Sequence, residues 1–254
     1  MPSAKILIVD DEPAILNLIQ RFLSKQSEES GELKYQVESA KDSTTALIVF
    51  EQFNPDLVIL DVNLPDGNGY LLCEEMQRRT GVFVLMLTSR TDSSDKVTGF
   101  SKGADDYFTK PFDLEELKYR VEAILKRQRM IAPSEPQCLR YGPLAIDPVR
   151  REVTLDHQLI GLTALEFNLL YFLASEPGRV WQRSELIEKV WKFDYVGNDQ
   201  RVVDVHIGQI RKKIEGNLAQ PSMIHTVRGV GYKFELTSID RTTTSSVISP
   251  SEKL

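Results

Sequence analysis

The chain has 254 residues, 41% of them hydrophobic, 8% aromatic and 27% charged, a composition that supports buried cores and excludes fibrous, collagen-like and mainly disordered classes. Its length suits two domains of about 100–150 residues each rather than one small fold. The formal net charge of −6 argues at first against nucleic acid, yet residues 1–130 carry 16 Lys and Arg against 22 Asp and Glu, whereas residues 131–254 carry 15 of each, so all the excess acid is N-terminal.

In chain order, the first 125 residues alternate short apolar runs with stretches of helical period, the pattern of βα units around a parallel sheet. Strands are predicted at 5–9, 35–39, 57–60, 82–87 and 106–108, with helices between them. Ile15, Leu18, Ile19, Phe22 and Leu23 form the apolar stripe of the first helix, and Leu114, Leu117, Val121, Ile124 and Leu125 that of the last. The stretch Ser24 to Leu33 reads as a polar surface insertion between the first helix and the second strand. Two prolines in Pro133-Ser134-Glu135-Pro136 mark a linker, so the predicted division is a first domain over 1–128, a linker over 129–138, a second domain over 139–238 and a disordered tail over 239–254. Thr163-Ala164-Leu165-Glu166 has the spacing of a helix-capping box, and further helices are predicted from near Ser184 and over 202–214. Val227 to Tyr232 reads as a hairpin turning on its glycines.

No apolar run approaches the roughly 20 residues that span a bilayer, and no basic and apolar leader precedes Ile6, so a cytoplasmic protein without membrane association is expected. Cys73 and Cys138 have neither metal-ligand nor disulfide spacing, in keeping with a reducing compartment.

Chemistry in an open parallel sheet gathers beyond the carboxyl ends of the strands. There the sequence places Asp10 and Asp11 after the first strand, Asp61 after the third, Thr88 after the fourth and Lys110 after the last. Converging carboxylates repel unless a hard cation joins them, which implies Mg²⁺. Asp61 is then suited to attack phosphorus, with Lys110 and Thr88 stabilising the phosphoryl oxygens.

The strings Ile8-Val9-Asp10-Asp11-Glu12, Leu60 to Gly69, Leu87-Thr88-Ser89-Arg90 and Gly103 to Phe112 resemble bacterial two-component receiver domains. The resemblance implies that Asp61 takes a phosphoryl group from a sensor histidine kinase, that Mg²⁺ is held by Asp10, Asp11, Asp61 and the Asn63 carbonyl, and that Lys110, Thr88, Ser89 and Tyr107 bind the phosphoryl group and switch with it. It also implies a cis Lys110–Pro111 bond, and a dimer face built from Lys96, Asp105, Asp106, Glu116 and Arg120, with Lys96–Glu116 and Asp106–Arg120 as charge pairs. An aspartyl-phosphate hydrolase is disfavoured, because such enzymes carry a second Asp where Asn63 stands; the expectation is a regulator, not an enzyme.

In the second half, Arg201 to Lys233 carries a local charge of +4. Val203, Ile207, Ile210 and Ile214 make one face of its helix, and the opposite face centres on Arg201, Val205, Gly208 and Lys212. With Leu162 to Phe167, Ser184-Glu185-Leu186 and Thr226 to Tyr232, this stretch resembles the winged helix-turn-helix effector domain of OmpR/PhoB-type response regulators. The resemblance implies a recognition helix in the major groove of promoter DNA with a wing beside it. DNA contacts are expected from Arg201, Val205, His206, Gln209, Arg211, Lys212, Thr226 and Arg228, with His206 on the helix flank and Gln209 and Val205 reading A·T pairs. The segment Trp191 to Gln200 is expected to reach RNA polymerase, and phosphorylation to favour a homodimer. The fold class expected is therefore a doubly wound (βα)5 α/β receiver followed by an α+β winged helix.

Overall fold

The computed structural model describes residues 3–29, 34–80, 82–89, 102–130, 137–191 and 200–235. The expectations for Lys96, for most of the 191–200 segment, for most of the linker and for the tail lie outside these residues. Among the described residues no helix is long and apolar enough to cross a membrane.

The N-terminal half builds β1 (Ser3–Val9), α1 (Pro13–Glu29), β2 (Lys34–Ala40), α2 (Ser43–Phe53), β3 (Leu57–Asp61), the two-rung hairpin β4 (Asn63–Leu64) and β5 (Gly67–Asn68), α3 (Gly69–Thr80), β6 (Phe83–Thr88), β7 (Asp106–Thr109) and α4 (Leu114–Met130). The main sheet runs β2-β1-β3-β6-β7 with every pairing parallel. Winding reverses between β1 and β3, which opens a crevice at their carboxyl ends.

Both faces of the sheet are covered, so β3 and β6 are buried throughout and β1 from Ile6 onward, while their side chains still alternate. Leu7, Val9, Val58, Leu60, Val84 and Met86 pack with Ala46, Phe50 and Met76 of α2 and α3. Ile6, Ile8, Ile59, Leu85 and Leu87 face Ile19 and Leu23 of α1 and Leu117, Val121 and Ile124 of α4. The first helix departs from its predicted stripe at Leu18, which is 48% exposed, and Leu16 packs on the core in its place. The predicted insertion is partly regular structure, since α1 continues through Ser24 to Glu29.

The C-terminal half begins with an antiparallel sheet ordered β11-β10-β9-β8, formed by β8 (Leu139–Tyr141), β9 (Leu144–Asp147), β10 (Glu152–Leu155) and β11 (Gln158–Ile160). Asp156 and His157 both take positive φ, 49° and 64°, in the two-residue turn joining β10 to β11. That geometry matches the right-handed strand twist. Next come α5 (Ala164–Ser175), β12 (Trp181–Gln182), α6 (Arg183–Leu186) running into a π-helical turn over Ile187–Trp191, α7 (Arg201–Ile214), β13 (Ile224–Val227) and β14 (Gly231–Phe234). The helix expected from Ser184 is thus widened at its end, a turn that puts both Val190 and Trp191 inside.

The capping box closes as its sequence predicts: Glu166 N donates to Thr163 Oγ1 (3.2 Å) and Thr163 N to Glu166 Oε2 (2.8 Å). Such a cap contributes about 1 kcal/mol. The hairpin β13–β14 corrects the reading of its glycines. Gly229 does turn the chain at φ +75°, but Gly231 lies in β14, where an added Cβ would sit 1.9 Å from the Trp181 carbonyl oxygen. It is there for close strand packing, not for the turn.

Candidate phosphoacceptor and DNA-binding sites

Strand register brings the acidic site together. Val9 pairs with Leu60, Asp61 with Leu87 and Thr88 with Thr109, so the chain leaves β1, β3, β6 and β7 at one level. Asp10, Asp11 and Asp61 each offer a carboxylate oxygen within 4.8 Å of the others. Asp10 and Asp61 are buried and Asp11 is exposed, so the cluster has two inner oxygens and one at the mouth. Lys110 Nζ donates to Asp10 Oδ2 at 2.7 Å, makes a short contact with Asp61 Oδ2, and stands 3.8 Å from Glu12 Oε1. The Lys110–Pro111 bond is cis, as the resemblance implies.

The electrostatics are those of an acid cluster held by one cation. Burial pushes the Asp10 carboxyl above its ordinary value and outweighs the hydrogen bonds from Lys110 and the Glu12 N–H. Burial also pulls the Lys110 ammonium down, but its hydrogen bonds to Asp10 and Asp61 prevail and leave it raised. One ammonium cannot neutralise three carboxylates, and the donor set is all oxygen with one open side. That chemistry fits a hard divalent cation such as Mg²⁺.

Around the cluster, Thr88 is buried at the end of β6 and its carbonyl accepts from Lys110 N (2.7 Å), while Ser89 is exposed. Asn63 N donates to Asp61 Oδ1 (2.9 Å), keeping the Asn63 backbone beside the candidate nucleophile. Gly69 is needed here: a Cβ would stand 2.1 Å from the Asp61 carbonyl oxygen, so only glycine lets α3 start beneath the site. Tyr107 is 5% exposed, its ring inside the fold.

The expected dimer-face residues are only partly on the surface. Asp105 is fully buried, where its Oδ2 accepts from Val84 N (2.6 Å) and Gln77 Nε2 (3.2 Å), so it is a structural acid bracing β6 against α3. Asp106 is also buried, and Arg120 bonds it at 2.8 Å and Glu116 at 2.6 Å within the same chain.

The basic region is arranged differently. Val203, Ile207, Ile210 and Ile214 are buried, as the wheel predicts, and Arg201 and Lys212 are exposed with Val205 and Gly208 half-buried. His206 contradicts its assignment to the DNA face. It is 0% exposed, with its ring 5.6 Å from that of Trp191, because the π-helical turn projects Trp191 over the flank of α7.

Arg211 is engaged inside the domain, donating to the Ile224 carbonyl (2.7 Å) and to Thr226 Oγ1 (2.9 Å) and lying over the Tyr232 ring at 5.6 Å. Tyr232 donates to Asp204 Oδ1 (2.6 Å), which Arg183 also bonds (2.7 Å). Burial and the Asp204 hydrogen bond push the Tyr232 phenol up to about 12. This Asp204–Tyr232–Arg183–Arg211 cluster locks helix to wing, and no local sequence pattern signals it. Arg228 is exposed at the wing turn. Gln209 and Lys213 line a cleft of about 700 Å³ opposite Gln77, Arg78 and Lys102 of the N-terminal half. Lys213 bonds Glu166 of the capping box at 2.6 Å.

Comparison with known proteins agrees with both halves. The response regulator receiver domain family matches residues 6–122, and the family described as transcriptional regulatory protein, C terminal, matches residues 157–234. The chain is 43% identical over 242 residues to the alkaline phosphatase synthesis transcriptional regulatory protein PhoP of Bacillus subtilis, covering 92% of this chain and 97% of that one. It is 40% identical over 230 residues to the transcriptional regulatory protein TrcR of Mycobacterium tuberculosis, covering 90% and 85%. Among solved structures, a mutant of RitR superposes with a TM-score of 0.76 at 28% identity, covering 92% of this chain and all of that one. With receiver and winged helix both matched along one chain, this protein belongs to the OmpR/PhoB-type two-component response regulators, transcription regulators rather than enzymes, in which phosphorylation drives DNA binding.

Proposed function

We propose that Asp61 is the phosphoacceptor of this regulator, with Asp10, Asp11, Asp61 and the Asn63 carbonyl as the residues that hold Mg²⁺. The observation that carries this is the convergence of three carboxylates within 4.8 Å of one another, two of them, Asp10 and Asp61, paired with Lys110, at the carboxyl ends of adjacent strands. In the transfer, an Asp61 carboxylate oxygen bonds phosphorus as the bond from phosphorus to the kinase histidine nitrogen breaks, leaving an acyl phosphate and a free imidazole. Bound Mg²⁺ supplies charge neutralisation of the phosphoryl oxygens. Lys110 pairs with the same oxygens, and the hydroxyls of Thr88 and Ser89 stand on the next strand end to meet them. Tyr107 follows Thr88 as the switch, a packing change driven by local charge.

Downstream, phosphorylation favours a homodimer that pairs two effector domains on a promoter, turning two weak half-site contacts into one bivalent contact. Lys96 and Glu116 remain the proposed dimer-face residues, with the buried Arg120 and Asp106 holding Glu116 in place from within. Arg201, Val205, Gln209, Lys212 and Arg228 form the DNA surface, with Arg211 and Thr226 shaping the wing junction beside it. RNA polymerase is the further partner, met through the 191–200 segment.

The test is incubation with Mg²⁺ and acetyl phosphate, followed by intact mass, light scattering and selection from random-sequence DNA. Wild type gains one phosphoryl group, dimerises and selects a repeated half-site; Asp61→Asn does none of these. Labelling that survives in Asp61→Asn overturns the assignment.

A further inference from the structure

The acid site is bounded on one side by a hairpin whose tip is held by a residue outside the cluster. β4 and β5 pair Asn63 with Asn68 and Leu64 with Gly67, and Asp66 sits in the turn between them. Its carboxylate reaches the start of α2, where Oδ1 accepts from Ser43 N (2.8 Å) and Oδ2 from Thr44 N (3.1 Å) and Thr44 Oγ1 (3.1 Å). The first N–H groups of any helix lack partners inside it. Here a distant segment takes two of them, while the local cap Asp42 takes only Thr45 N (2.7 Å).

Building on the acid-site reading above, we propose that Asp66 is a positioning residue that presets the Asn63 carbonyl for the divalent cation by pinning the β4–β5 hairpin to the N-terminus of α2. A closed circuit of contacts runs around the cluster. Asp10 N donates to the Ala40 carbonyl at the end of β2 (3.2 Å), the chain passes through Asp42 into α2, Asp66 joins α2 to the hairpin, and Asn63 N returns to Asp61 Oδ1 (2.9 Å). Among the described residues, the other hydrogen-bonded anchors of the hairpin lie on its β3–α3 side, including Gly69 N to the Val62 carbonyl (2.9 Å). Asp66 is the contact that closes the circuit on the far side.

Packing at the tip is equally specific. A Cβ on Gly67 would meet Ser43 Oγ at 3.3 Å, so the hairpin lies close against α2. The Asp66 carboxylate is held well below the usual range by the Ser43 and Thr44 hydrogen bonds, so it stays ionised, and an anion at a helix N-terminus is favoured there. A ligand held in place before the cation arrives raises affinity by reducing the ordering cost of binding. Asp66 therefore acts on Mg²⁺ affinity and leaves the chemistry at Asp61 to the cluster itself.

The test separates positioning from simple helix capping. Mg²⁺ affinity is measured by calorimetry and by the Mg²⁺ dependence of Tm, beside the Mg²⁺ requirement of acetyl phosphate labelling, for wild type, Asp66→Ala, Asp42→Ala and Ser43→Pro. Asp42→Ala removes a cap from the same helical turn without touching the hairpin. Ser43→Pro deletes the partner N–H at the first helical position, where proline is well tolerated and the preceding Asp42 is already extended at φ −152°. Expected is a Mg²⁺ Kd raised about fivefold in Asp66→Ala and about two- to threefold in Ser43→Pro, an unchanged Kd in Asp42→Ala, and a wild-type labelling rate for all at saturating Mg²⁺. Asp66→Asn, which keeps an acceptor oxygen, falls between and serves if Asp66→Ala does not fold. A Kd unchanged in both Asp66 variants, or raised equally in Asp42→Ala, overturns the inference while leaving the acid site standing. A wild-type protein with no saturable Mg²⁺ binding overturns both.

Discussion

The acid site and the basic surface are both built at the ends of regular elements, yet one follows from strand order and the other does not. At the acid site, backbone topology alone sends Asp10, Asp61, Thr88 and Lys110 to neighbouring positions, because each is the residue at or just past the end of a parallel strand. On α7 the helical wheel sorts apolar from polar faces correctly but says nothing about what a long side chain reaches. Arg211 turns back to β13 and Tyr232, Lys213 to Glu166, and His206 is sealed under Trp191. Short acids on strand ends are placed by the backbone; long cations on a helix are placed by whichever acceptor the tertiary fold puts within reach.

Four variants press on this contrast. The largest effect is expected from Asp61→Asn, which abolishes phosphoryl labelling read by intact mass while leaving the fold intact. Next is His206→Ala in the effector domain, expected to cost about 2–4 kcal/mol of stability in denaturant unfolding through the cavity it leaves. The salt dependence of DNA binding should not change in the same variant, as befits a core residue; a shallower slope would return His206 to the DNA face.

A smaller effect comes from Asp10→Asn in metal-free protein. Because burial holds the Asp10 carboxyl above its ordinary 3.8, the folded state is penalised by the charged form, and that penalty is present at pH 7 and absent below the ordinary value. The variant is therefore more stable than wild type at pH 7, with the gain vanishing as pH falls below about 4. Thermal unfolding across pH 3–7 without divalent cations reads this directly, and an equal gain at pH 3 would assign it to packing instead. The mildest is Arg228→Ala at the wing, expected to leave stability within about 0.5 kcal/mol. It should reduce the salt slope of DNA binding by about one ion, the signature of a single lost phosphate contact.

Much of the fold was legible because it depends on local chemistry. Apolar runs of strand length alternating with helical stripes require a doubly wound sheet, and the spacing from Thr163 to Glu166 requires a helix start. The winding order then assigns the acids to one crevice. Legibility failed where burial depended on the packing of several elements. Leu18 lies at the edge of its stripe and stays in water, and Asp105, which looked like a surface acid, is enclosed by β6 and α3. Gly231 read as a turn residue until β12 was seen to pass against it.

By itself the sequence determined the two domains' classes, the strand ends that carry Asp10, Asp61, Thr88 and Lys110, and the apolar face of the recognition helix, because backbone periodicity and side-chain type act over a few residues. The tertiary structure alone decided which charges are spent inside the protein and which face outward. Asp66 reaching α2, Arg211 reaching the wing and Asp106 holding Arg120 each join segments at least 13 residues apart. Pairings of that kind are set by where the chain returns in space, and no local pattern encodes the distance between two side chains that meet only after folding.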